Sequence, residues 1–220
     1  MVSLLSLVLT GCIGGPQRPD PTEVVTEYLT AIAAGDASTA TALDAAAVEE
    51  QHSGSTAEEV GDFDSLRTDA VLQGAESLIT DVSVESRAAK VDGDADVRRV
   101  RFTYELDGQE QDASLQVRWD ESESAWVLTQ SLTLSMSVDA VQSKVSLEPA
   151  PFRLGGVDEV FAADPESAPM LYLVYPGVYH VTADIPRGLL ARGAESAQTV
   201  VAEMPGDAFV QFDVVELPSH

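Results

Sequence analysis

Histidine, cysteine and closely spaced acids or arginines are the side chains most able to carry chemistry, and this sequence spreads them thinly. His52 lies in a polar break, His180 in an alternating apolar run, and His220 at the last position. No two of them stand at metal-ligand or catalytic spacing, and no serine or cysteine nucleophile motif accompanies them. Asp92, Asp94 and Asp96 alternate as the first ligands of a calcium loop do. Val97 stands where that loop needs glycine, however, and no glutamate closes it, so a solvated turn is expected. Arg99, Arg101 and Arg118 share the polar side of two alternating runs with Gln116 and Glu105. Six of the 12 bases crowd between Arg87 and Arg118, which raises an anion-binding patch as the sharper reading. Cross-strand pairing with Glu105, Glu110 and Asp112, and with acids of the helices, is the favoured one. Tyr28, Phe102, Tyr104, Trp119 and Trp126 could line an aromatic box, but core packing is the default at such spacings. Neither a catalytic residue, a metal nor a cofactor is expected.

One further residue has reactive chemistry. Cys12, the single cysteine, closes Leu9-Thr10-Gly11-Cys12 after the apolar run Val2 to Leu9. The stretch resembles a bacterial lipobox, in which a peptidase cuts before the cysteine and its sulfur takes a diacylglycerol. The resemblance implies a lipidated Cys12 and a place on the extracytoplasmic face of the cell membrane. The competing reading is a buried cysteine in a fragment of apolar helix. No base precedes Arg18 and the run is short for a signal core, so the true start is expected upstream of Met1. Ile13 to Pro21 holds three prolines and two glycines and reads as a spacer.

Charge narrows the partners. With 37 acids against 12 bases the net charge is −25, a surface that repels phosphate backbones and anionic headgroups. Nucleic acid is excluded as a partner, and membrane affinity must come from the acyl chains, at ~0.8 kcal/mol per buried methylene. One cysteine also excludes an intrachain disulfide and a thiolate cluster.

Elements able to position these residues follow from periodicity. Pro21, with Asp20 as N-cap, opens a helix whose apolar face is Val25, Tyr28, Leu29 and Ile32. Asp36 caps a second helix through about Ala47, with a thin stripe of Ala40, Leu43, Ala47 and Val48. Thr56-Ala-Glu-Glu59 begins a third helix or turn toward Leu72, with Val60, Phe63, Leu66, Ala70 and Val71 as its core residues. Alternation then takes over: Leu78 to Ser86, Arg99 to Leu106, Ser114 to Trp119 and Trp126 to Gln130 read as strands, with Asp107-Gly108 as a hairpin turn. Helices followed by a meander predict an α+β fold, helices packed on a curved antiparallel sheet in a cone-like form. From residue 136 short apolar runs, the Tyr175-Pro-Gly177 turn and a last strand with Phe209, Phe212, Val214 and Leu217 suggest a small all-β module, cut short with an exposed edge.

Pro21 to Asp36 is similar to the first helix of nuclear transport factor 2-like domains, and Ser124-Ala-Trp-Val-Leu128 to their last hairpin. Leu173 to Thr182 looks like the Pro-Gly-x-Tyr hairpin of small immunoglobulin-like modules on bacterial surfaces. The expected organisation is therefore a signal segment over 1–12, a linker over 13–20, a nuclear transport factor 2-like domain over 21–135 and a β-sandwich-like module over 136–220. The expected role is non-catalytic binding at the cell envelope, with the membrane and other envelope proteins as partners. Two alternatives stay open: a small-molecule or enzymatic pocket in the cone, walled by Asp44, His52 or Tyr104, and a structural spacer.

Overall fold

The structure, a computed structural model, describes residues 18–53, 64–141, 150–161, 171–185, 190–204 and 206–213. Helix α1 (Pro21–Ala34) starts where Asp20 Oδ1 accepts from Thr22 N and ends at Gly35, in the left-handed region at φ 74°. Helix α2 (Ala37–His52) starts where Asp36 Oδ1 accepts from Thr39 N. The buried line of α2 is Ala37, Ala40, Asp44, Ala47 and Val48. Leu43, expected on that stripe, is half-buried, and Asp44 takes the inward place instead. A single short helix, α3 (Asp69–Gln73), carries the third helical signal, capped by Thr68. Thr56 to Glu59, Val60 and Phe63 lie outside the described residues. Leu66 and Val71 are buried as expected, whereas Ala70 is exposed because this short helix turns Val71 and Leu72 inward.

The run expected as one strand from Leu78 divides in two. Strand β1 (Ser77–Leu78) and strand β2 (Thr80–Val84) belong to different sheets. Asp81 at φ 48° and a register shift between Thr80 and Ser83 break the alternation, and the buried side chain is Ile79. Strands β3 (Ala89–Lys90), β4 (Val97–Leu106), β5 (Gln109–Asp120) and β6 (Ala125–Leu128) complete the first sheet, in the order β2-β4-β5-β6 with β3 also on β4. It is antiparallel and strongly curled. The β4–β5 hairpin pairs Leu106 with Gln109 across Asp107-Gly108 and runs to Val97 opposite Arg118. Val100, Phe102, Tyr104 and Leu106 face Val25, Tyr28, Leu29 and Ile32 in one core. The expected α+β fold with helices on a curved antiparallel sheet is what this half of the chain adopts.

Two further sheets enclose a second core. Strands β7 (Leu134–Val141), β10 (Leu171–Val174) and β13 (Ala208–Asp213) form one, β7 central and β13 parallel to it. Strands β8 (Ala150–Leu154), β9 (Val157–Phe161), β11 (Gly177–Ala183) and β12 (Ala197–Ala202) form the other, and β1 joins it on β11. Met136, Phe152, Tyr172, Val181, Val210 and Phe212 fill the space between, with Leu66 and Val71 added from the helical half. The last strand, β13, buries Phe212 and exposes Phe209, while Val214 and Leu217 lie outside the described residues.

The Tyr175-Pro-Gly177 turn is not a hairpin. It carries the chain from β10 in one sheet to β11 in the other. The reason lies in Tyr175 and β1: the Tyr175 ring is buried in the first core, and Glu76 N, beside β1, donates to Val178 O at 2.7 Å. Tyr179 Oη locks the corner by donating to Tyr175 O at 2.7 Å. The two cores are thus stitched in both directions, by Tyr175 and Val178 in one and by β1, Leu66 and Val71 in the other.

Candidate functional site

An aspartate in the apolar stripe of a helix needs partners, because an unpaired buried carboxylate costs several kcal/mol. Asp44 is wholly buried and finds them on four different segments. From α1, Tyr28 Oη donates to Asp44 Oδ2 at 2.8 Å and accepts from Leu132 N at 3.0 Å. From the chain before β7, Ser131 Oγ donates to the same oxygen at 2.6 Å and accepts from Thr133 N at 2.9 Å. From the segment before α3, Arg67 Nη2 pairs with Asp44 Oδ1. From the corner between β10 and β11, Tyr175 Oη stands 3.4 Å from both carboxylate oxygens. It also accepts from Arg67 Nη2 at 3.1 Å and hydrogen bonds Thr41 Oγ1 at 2.9 Å, one helical turn before Asp44.

The site is a junction between the two cores. Arg67 bridges two acids, Asp44 inside and Asp64 at 2.9 Å outside, and its guanidinium lies 5.6 Å from the Tyr175 ring centroid. Tyr28 and Tyr175 meet edge to face at 6.3 Å. Burial pushes the Asp44 carboxyl above its ordinary range, although Ser131, Arg67, Tyr28 and Tyr175 all favour the charged form. Burial alone lowers the Arg67 guanidinium, but Tyr175, Asp44 and Asp64 outweigh it and the net shift is upward. Burial and the Asp44 charge push both tyrosine hydroxyls up, so they stay protonated donors. The arrangement therefore holds charge and fixes geometry.

The residues expected to do chemistry fall elsewhere. Arg99, Arg101 and Arg118 do share one face, each exposed, opposite Gln116, Ser114 and Val97. Helix acids cannot pair with them, because the alternation that buries Val100 and Phe102 turns these arginines to the other side of the sheet. Among the described residues no ion pair joins them to Glu105, Glu110 or Asp112 either, and Arg118 instead lies close enough to Asp120 to help lower its carboxyl, behind the bonds from Ser122 and Glu123. Asp94 accepts from Asp96 N at 2.7 Å and Asp96 pairs with Arg18, so the acidic turn is tied by its own chain. His52 ends α2 beside Arg67, and burial followed by that charge lowers its pKa. It shares the lining of a hollow of about 350 Å³ with Val48, Asp64 and Arg67. His180 is exposed, 3.6 Å from Glu76. Of the aromatic set, Phe102, Tyr104 and Trp126 are core, and Trp119 packs edge to face on Trp126 at 5.5 Å.

Cys12 and His220 lie outside the described residues. The linker ends on the sheet, where Trp126 Nε1 donates to Pro19 O at 2.9 Å and Arg18 covers the Trp119 ring at 4.7 Å. Of the three polar wall residues considered for the cone, Asp44 is the one at the junction. Arg67, Ser131 and Tyr175 were not singled out from sequence. A signal for Arg67 existed: it is the only base between Arg18 and Arg87, and an acid at a stripe position of α2 requires a cation. Compared with known proteins, the chain matches no family model, no curated protein and no solved structure.

Proposed function

We propose that the chain is a lipid-anchored protein of the cell envelope, held at the extracytoplasmic face by Cys12, with a non-catalytic binding or interaction role. In this reading residues 21–135 are a nuclear transport factor 2-like domain used as a scaffold, and the β module after residue 136 is its fixed companion. The observation that carries the non-catalytic part is the Asp44 junction. A general acid or base must present its carboxyl to a substrate, whereas both Asp44 oxygens are taken up by Tyr28, Ser131, Arg67 and Tyr175 of the same chain. Tyr175 arrives from the second sheet pair, buried in the first core, with its hydroxyl 3.4 Å from both oxygens. A body so locked is suited to presenting surfaces.

Anchoring rests on Leu9-Thr10-Gly11-Cys12 and the spacer after it. Among the described residues no helix is long and apolar enough to cross a membrane. The test is intact mass and membrane fractionation of the full-length product beside Cys12→Ala. The native chain should begin at Cys12, carry the mass of a diacylglycerol on that residue and sediment with membranes, whereas the variant should be neither cut there nor lipidated. Equal masses with both chains soluble would refute the anchor and leave the Asp44 argument to be judged on its own.

A further inference from the structure

Among the described residues, the long hairpin strand β5 is paired on its far edge over only part of its length. It has 12 residues, and β6, its neighbour away from β4, has four, pairing from Val117 to Asp120. Backbone direction along the uncovered half follows from the turn. In a two-residue hairpin the flanking pair, Leu106 and Gln109, exchange hydrogen bonds, so odd-numbered residues of β5 point their N–H and C=O at β4. Trp119 N donating to Asp96 O confirms the phase at the far end. Even-numbered residues point the other way: Gln116 O accepts from Thr129 N at 3.0 Å, and Gln116 N donates to the Gln130 side chain at 3.1 Å. Glu110, Asp112 and Ser114 continue that phase, and no described residue takes up their edge-facing N–H and C=O groups.

A hollow of about 310 Å³ lies along this edge. Its walls are Ala113, Leu115, Leu132 and Met204 together with the polar residues Gln51, Asp112, Ser114, Gln130 and Ser131. Glu203 stands at one end, bonded to Gln111 at 3.3 Å. On the solvent side the edge carries Glu110 and Asp112, both exposed. Acids on an edge also blunt pairing with a like edge. What distinguishes this one is the hollow beside it, with Leu115, Leu132 and Met204 in its walls, and three alternate residues whose edge-facing backbone groups no described residue takes up, spanning ~13 Å at the usual rise per residue.

We propose that this edge binds an extended polypeptide segment alternating basic and apolar residues, added to the sheet as a strand beside Glu110 to Ser114. Backbone groups of the incoming strand pair with Glu110, Asp112 and Ser114. Its apolar side chains enter the hollow against Leu115, Leu132 and Met204, and its lysines or arginines face Glu110 and Asp112. A second copy of this chain is a poor occupant, because antiparallel edges would set these acids against each other. The proposal deepens the interaction role above and rests on it, but it does not need the lipid anchor.

The test uses the full chain carrying Cys12→Ala, so failure to bind says nothing about anchoring. The probe is fluorescein-labelled Lys-Val-Lys-Val-Lys-Val-amide, followed by anisotropy at low salt. Saturable binding is expected, with the Glu-Val counterpart failing to bind. Ser114→Pro removes one edge-facing N–H without touching the β4 ladder, and should weaken binding about tenfold. Glu110→Lys with Asp112→Lys sits on the solvent side, keeps the fold if Ser114→Pro does not, and should reverse the preference toward Glu-Val. No saturable binding, an unchanged affinity in folded Ser114→Pro, or an unreversed preference in the lysine variant would each overturn the proposal. A dimer of the peptide-free chain that Ser114→Pro disperses would overturn it too, in favour of a second copy.

Discussion

Replacing Arg67 by methionine removes the cation paired with a carboxylate that has no exposed surface. Breaking a buried pair from one side generally costs ~3–5 kcal/mol. Asp44 keeps Tyr28 at 2.8 Å and Ser131 at 2.6 Å as donors, so the lower end, ~3 kcal/mol near neutral pH, is expected. The sign of the pH dependence is fixed by the direction of the Asp44 shift. Its folded pKa is already raised by burial, and Arg67 is one of the groups holding it down. Arg67→Met therefore raises it further. A raised carboxyl gives its full contribution below the ordinary aspartate range and loses it as pH climbs to the folded pKa. Between the folded pKa values of parent and variant the deficit should grow by ~1.4 kcal/mol per pH unit. Asp44→Asn should be milder, ~2 kcal/mol, because Arg67 retains Asp64 at 2.9 Å and Tyr175 at 3.1 Å. Urea unfolding of the Cys12→Ala chain between pH 5 and pH 8 reads all three. A cost for Arg67→Met below ~1 kcal/mol, or one equal at both ends of that range, would refute a buried charge at Asp44.

Tyr175→Phe keeps the edge contact with Tyr28 and the guanidinium stack but loses the hydroxyl shared by Arg67 and Thr41; a loss of ~1–2 kcal/mol in urea unfolding is expected. Gly155→Ala should cost ~3 kcal/mol or prevent folding, since φ is 54° and a Cβ would come 2.5 Å from Val71 Cα, while Gly156→Ala, at φ 85° with open space around it, should cost ~1 kcal/mol; thermal melts of the pair separate crowding from backbone strain. Asp36→Ala should lower the melting temperature by a few degrees at neutral pH. The bonds from Thr39 hold the Asp36 carboxyl below its ordinary range, so this deficit is complete above that range and should fade as pH falls through the lowered pKa.

The helices and the first sheet were legible because their signals are local. Asp20-Pro21 and Asp36 are caps with one geometry each, and Val100 to Leu106 alternates without interruption, so the helix starts and the strand period agree with the structure, while α2 runs on to His52, past the end expected near Ala47 and through the expected polar break. The strand around Leu78 was less legible because its alternation hides a break: Asp81 adopts a positive φ and sends β1 to another sheet, a long-range pairing that no local period encodes. Tyr175-Pro-Gly177 failed for the same reason. A proline-glycine turn specifies that the chain bends, while the sheet to which the next strand returns is set by where Tyr175 is buried. The junction itself was half visible, as an acid in a stripe of alanines. Its partners Arg67, Ser131 and Tyr175 lie 23, 87 and 131 residues away and come together only when both cores form.

That distance explains what a charged centre contributes to this molecule. A buried ion pair contributes little to stability against a well-packed apolar alternative, but it admits few geometries. A carboxylate that must meet Tyr28, Ser131, Arg67 and Tyr175 together permits one docking, and Ser131 carries that constraint directly into the wall of the hollow beside β5. Ser131 N also donates to Gln51 Oε1 at 3.3 Å, so the last turn of α2 is held to the same wall. The junction thus holds one wall of the hollow, through Ser131, Leu132 and Gln51, without any of its own charges lining it.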